Sequence, residues 1–127
     1  RVLFRSPFQV VGNDPPVLEV PAAAVRNLSA LYKIHSDNRR TNILLAAFDN
    51  LPSSVPGVIS LGLGNQFSSC VSILTGIGGP NGVLVTSLTP PLSIPSGSRM
   101  WFQSIVYDPN NLVLPVTTSA VSEVRIY

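Results

Sequence analysis

The chain is poor in the residues that chemistry uses. Its 127 residues include one cysteine, one histidine, one methionine and one tryptophan. A lone cysteine excludes an internal disulfide. One cysteine with one histidine also excludes a structural zinc site, which takes four such ligands. Charged residues make up only 11%, against about 25% in an average soluble domain. The formal charge is +2, and Arg1 and Arg5 supply all of it. Without them, Arg26, Lys33, Arg39, Arg40, Arg99 and Arg125 balance Asp14, Glu19, Asp37, Asp49, Asp108 and Glu123. That balance makes no electrostatic case for nucleic acid. The longest apolar run, Ile43 to Phe48, is far short of the ~20 residues of a membrane-spanning helix.

Recognisable catalytic patterns are missing as well. Gly76 and Gly78 begin a dinucleotide-like glycine pattern, but Asn81 stands where the third glycine belongs, and a strand-like run follows in place of a helix. The cluster reads as a turn. No Gly-x-Ser-x-Gly elbow selects one of the many serines as a nucleophile. His35, with Asp37 two residues on, is the only imidazole available to a hydrolase here; otherwise it is a histidine in a solvated loop. Asp37-Asn38 and Asp108 with Asn110 lack the ligand density of a calcium loop. Cys70 has no basic neighbour in sequence to lower its pKa and reads as a small buried hydrophobe. No catalytic residue, metal or cofactor is expected.

What the chain does have is strand grammar. Hydrophobic residues are 45%, and twelve prolines and nine glycines cut the sequence into short pieces. Phe8–Val11, Val17–Val20, Leu28–Ile34, Asn42–Phe48, Gly57–Gly64, Cys70–Thr75, Val83–Thr89, Arg99–Tyr107 and Val121–Tyr127 are β-branched or aromatic runs separated by turn residues. Under period two, Tyr32 and Ile34 share one face of their strand. Pro21–Arg26 has the composition of a single helical turn. Seven to nine short strands at spacings of about ten residues predict an all-β, two-layer antiparallel sandwich, jelly-roll or immunoglobulin-like. The expected core is Tyr32, Ile34, Leu44, Ala46, Phe48, Ile59, Leu61, Val71, Ile73, Val85, Phe102, Val106, Val124 and Ile126.

Residues 25–127 are read as one sandwich domain preceded by an arm. Arg1–Ser6 looks like the translation of a sequencing-adapter end, which implies a missing true N-terminus. Residues 7–24 form a Pro-rich segment. Its Phe8, Val10, Val11, Val17, Leu18 and Val20 are candidates to add a strand to a neighbouring copy. Trp101, Gln103 and Tyr107 share a strand face and are the candidate ligand-binding residues, since aromatic rings stack on sugars. Apolar residues on both faces of that strand argue instead for burial on both sides.

Several small signals in residues 50–127 come in a familiar order. They are Asn50-Leu-Pro52, Leu61-Gly-Leu-Gly64, Cys70, Leu92-Ser-Ile-Pro95, Met100-Trp-Phe-Gln103 with Asp108, and Ser119-Ala120 running to Val124 and Ile126. In this the chain resembles the C-terminal β-sandwich modules of large secreted proteins of planctomycetes and similar bacteria. Residues 7–49 show no correspondence, and Ser122-Glu123 interrupts a run that is smoother in those modules. The resemblance implies an extracellular or cell-surface accessory domain with no transferable catalytic residue. Together with the neutral surface, it leads to an expected non-enzymatic structural or adhesive module. Its expected partners are other protein domains or copies of itself, without nucleic acid or a membrane span. A polysaccharide-binding module and a His35 hydrolase are the alternatives.

Overall fold

The computed structural model describes residues 16–36, 40–56, 59–77, 82–107 and 116–127. Eleven strands run through them: β1 (Val17–Glu19), β2 (Ala23–Ala24), β3 (Ala30–His35), β4 (Thr41–Ala47), β5 (Ser53–Val55), β6 (Ile59–Leu61), β7 (Val71–Ile77), β8 (Val83–Leu88), β9 (Ser98–Tyr107), β10 (Val116–Thr118) and β11 (Ser122–Ile126). No helix occurs among the described residues. The protein is an all-β sandwich.

One sheet has three strands in the order β1-β3-β8. The other runs β2-β11-β9-β4-β7, with β10 also pairing with β9. Pairing is antiparallel except between β11 and β2. A separate β5–β6 hairpin completes the set. Alternation along each strand decides what lies inside. Tyr32 and Ile34 of β3 meet Leu44 and Ala46 of β4, Phe102 of β9 and Val124 of β11 in the main core, with Ala24 beside them. The opposite parity of the large sheet is covered too. Leu45, Ala47, Trp101 and Ile105 pack against Leu61 and Leu63 from the β5–β6 hairpin and the segment after it. This second layer is why β4 and β9 are apolar on both faces.

The structure corrects the expected organisation at three points. The residues read as a helical turn, 21–26, contain β2. The exposed edge of β11 captures that segment, with Arg125 N donating to Ala22 O at 3.3 Å and Tyr127 N to Ala24 O at 2.9 Å. An open strand edge offers these groups partners that one isolated helical turn does not have. The described part of the expected arm also belongs to the sandwich. Val17 and Leu18 pair with His35 and Ile34 of the same chain, and Leu18 and Val20 pack on the main core. These three are therefore not a free donor strand; Phe8, Val10 and Val11 lie outside the described residues. Finally, Phe48, Val71, Ile73 and Val85, expected in the core, are exposed. Val71 and Ile73 lie on β7 and Val85 on β8, which are edge strands on one flank. Phe48 follows the end of β4.

Candidate ligand-binding cavity

β7 and β8 follow one another in sequence but belong to different sheets. Near the connection between them they approach closely: a Cβ on Gly76 would sit 3.3 Å from the Leu84 side chain. Farther along, Ile73 of β7 and Leu88 of β8 stand on either side of a cavity of about 150 Å³. Its floor is the inner face of the sandwich, made by Tyr32, Met100, Phe102 and Ile126. Thr89, Pro90, Pro91 and Ile94 form the rim.

A β-bulge puts Ile73 there. Leu44 pairs with Leu74 and Leu45 with Ser72, so Ile73 is an extra residue in β7 with no opposite number in β4. In unbroken register Ile73 would face outward with Leu45. The bulge instead brings it to the wall of the inter-sheet cavity. It also blunts the edge of β7 against pairing with another strand.

The rim is fastened to the loop between β2 and β3. Arg26 Nη1 donates to Leu92 O at 3.3 Å and to Ile94 O at 3.1 Å. Asn27 N donates to Pro90 O at 2.7 Å, and the Ser29 and Thr89 hydroxyls share a 2.7 Å hydrogen bond. Prolines have no N–H to contribute to a ladder, so these contacts hold the segment where strand pairing cannot.

The floor carries one polar group. Tyr32 is 2% exposed, and its ring lies 5.0 Å from that of Phe102, tilted by 49°. Burial pushes its pKa up.

The residues singled out from sequence lie elsewhere. Gln103 is buried, and both ends of its amide are engaged: Nε2 donates to Ser119 O at 2.7 Å and Oε1 accepts from Gly62 N at 3.0 Å. It ties two loops to β9 and presents nothing to a ligand. Trp101 packs on the second core layer. Only Tyr107, 44% exposed, keeps an open face, so the three do not form a common stacking surface. His35 ends β3 in register with Val17 and Val83, not in a loop. Its Nε2 pairs with Glu19 Oε2 at 3.0 Å. Cys70 belongs to the layer on the far face of the large sheet, so the fold does not bring the imidazole and the thiol together. Burial, then the Asp49 carboxylate, raises the thiol pKa, which keeps it protonated and unreactive.

Backbone strain concentrates beside Cys70. Asn65, Gln66 and Phe67 take positive φ values of 47°, 53° and 63°, each a cost of about 1–2 kcal/mol for an L-residue. All three N–H groups are captured by one short stretch: Asn65 N by Leu51 O, Gln66 N by Pro52 O, and Phe67 N by Ser53 Oγ. Asp49 braces the same turn, accepting from Leu51 N, Gly64 N and Ser69 Oγ.

No family model and no curated protein matches the chain. Among solved structures, it is similar to a superoxide reductase (neelaredoxin) from Ignicoccus hospitalis, with a TM-score of 0.57 and 10% identity over 90% of this chain and 81% of that one. A second, an AA10 lytic polysaccharide monooxygenase from Streptomyces lividans, has a TM-score of 0.43 and 12% identity over 81% of this chain and 58% of that one. The first likeness shows the shared sandwich. It also overturns the expectation of a non-enzymatic structural or adhesive module. The same architecture, over nine tenths of this chain, serves an enzyme. Strand density and a neutral surface therefore do not place a chain of this fold outside catalysis; function resides in sites built on a fold.

Proposed function

We propose that the chain binds a small apolar molecule in the cavity between β7 and β8. The observation that carries this is the cavity itself: about 150 Å³, lined almost wholly by aliphatic and aromatic side chains. Close-packed interiors leave few voids larger than a water molecule. An apolar cavity of about this size admits benzene-sized ligands. The bulge at Ile73 and the fastened rim support the same reading, since both shape the cavity mouth.

The chemistry named for the first solved structure does not come across. Reducing superoxide transfers an electron, and a transition-metal centre for that purpose is held by several imidazole or thiolate ligands. The whole sequence offers one histidine and one cysteine. Among the described residues, no three His, Cys, Asp or Glu side chains gather. The donor set does not fit such a metal, and no step is derived through one.

Titration with toluene, followed by calorimetry, tests the proposal. At about 0.7 kcal/mol per heavy atom, within the range of small ligands, the affinity is roughly 5 kcal/mol. That corresponds to a dissociation constant of a few tenths of a millimolar. Ile73→Trp should fill the mouth and abolish binding while the chain stays folded. Unchanged binding in that variant would remove the cavity from consideration.

A further inference from the structure

Given that cavity reading, on which this rests, we infer that the ligand is a simple monocyclic phenol and that the Tyr32 hydroxyl recognises its OH group. Tyr32 is almost wholly buried, yet no hydrogen-bond partner for its hydroxyl is found among the described residues. Nor is that oxygen one of the unpartnered side-chain atoms sealed from solvent, which among the described residues are Arg26 Nε, Asn42 Oδ1 and Ser104 Oγ. Tyr32 is one of the residues lining the cavity, and on this inference its hydroxyl is the polar group that an occupant meets. Thr89, the only other hydroxyl among the described lining residues, is already engaged with Ser29.

The consequence is selectivity. A pure hydrocarbon fills the space but leaves the Tyr32 hydroxyl unpaired, so it gains nothing from that group. A ligand with one hydroxyl restores the missing bond. A tyrosine hydroxyl both donates and accepts, so a phenol can pair with it in either direction. Sites built around a buried hydrogen-bonding group reject the analogue that lacks it far more strongly than an apolar pocket rejects a change of one methyl. The raised pKa of Tyr32 keeps the hydroxyl neutral and able to donate across the physiological range. A volume near 150 Å³ suits one ring with small substituents.

p-Cresol and p-xylene have nearly the same shape and differ by a hydroxyl in place of a methyl. Their dissociation constants are measured on the native chain and on Tyr32→Phe by NMR titration. The expected result is a loss of about tenfold in p-cresol affinity in Tyr32→Phe, with p-xylene binding unchanged or tighter. Retained p-xylene binding also shows that the variant is folded. If p-cresol loses nothing, the role of Tyr32 is overturned while the cavity reading survives. If neither compound binds the native chain, the cavity reading fails and the inference fails with it.

Discussion

Tyr32→Phe in the absence of ligand should leave the chain as stable as before or slightly more so. The substitution keeps the ring, and with it the contact with Phe102 at 5.0 Å. It removes one oxygen that has no hydrogen-bond partner among the described residues. Nothing is lost in hydrogen bonding. The vacated space, roughly the size of one oxygen atom, costs about 0.3 kcal/mol at ~24 cal/mol per Å³. Against this stands relief of a poorly solvated hydroxyl, worth about 1 kcal/mol at the low end for unsatisfied groups. The net change runs from near zero to roughly 1 kcal/mol of added stability. Urea unfolding at pH 7, followed by the fluorescence of the single tryptophan, Trp101, reads it directly. A second signature appears in alkali. Burial raises the folded-state pKa of Tyr32, so the folded chain holds that proton more tightly than the unfolded chain does. The native chain therefore loses stability as pH rises above about 10, the unfolded tyrosine value. Tyr32→Phe lacks that component of the decline. A loss of 1 kcal/mol or more at pH 7, the cost typical of a broken hydrogen bond, would mean that the hydroxyl has a partner within the fold and would refute the reasoning.

Gly82→Ala should destabilise by about 2–3 kcal/mol, combining a left-handed backbone with a lost hydrogen bond. Its φ is +76°, a Cβ there would lie 2.5 Å from Ser36 O, and Ser36 N donates to Gly82 O; an unchanged urea midpoint would sink the prediction. Cys70 should react with iodoacetamide at pH 8 at least several-fold more slowly than a free thiol, since burial and Asp49 hold its pKa up. Quantitative mass spectrometry over time checks this, and reaction at the free-thiol rate counts against it. Arg26→Ala should cost about 1 kcal/mol, after allowance for partial exposure, because it releases Leu92 O and Ile94 O. It should also speed ligand dissociation from the cavity, and an off-rate equal to that of the native chain would show that the rim does not depend on Arg26.

The sandwich was legible because alternation fixes which side chains share a face. Tyr32 and Ile34 on β3, Leu44 and Ala46 on β4, and Val124 and Ile126 on β11 are buried as their period-two pattern indicates. The two-sided apolar pattern of Met100–Tyr107 correctly signals a central strand covered on both faces. The cavity was not legible, for reasons that are local. A bulge shifts parity at Ile73, and nothing in Val71–Ile77 marks the extra residue. The rim is made by Pro90, Pro91 and Ile94, a segment that could be excluded as an interior strand but not placed. One signal was available: Pro90 and Pro91 exclude the segment from the interior of a sheet and so put it at a margin of the sandwich. Val85 is misplaced in the core because strand patterning alone does not distinguish an edge from a centre, and Phe48 because its apolar run extends one residue past the end of β4. The strained turn at Asn65–Phe67 is equally silent, since it is fixed by hydrogen bonds it donates to residues 51–53, more than ten positions away.

Xenon is the most direct probe of the space between the two sheets, because it needs only an accessible apolar void. A crystal of the chain held under xenon pressure should show a bound atom bounded by Ile73, Leu88, Met100 and Phe102. An empty flank, or xenon lodged instead between Leu61 and Leu63 beneath the β5–β6 hairpin, would show that this sandwich has no binding cavity between β7 and β8.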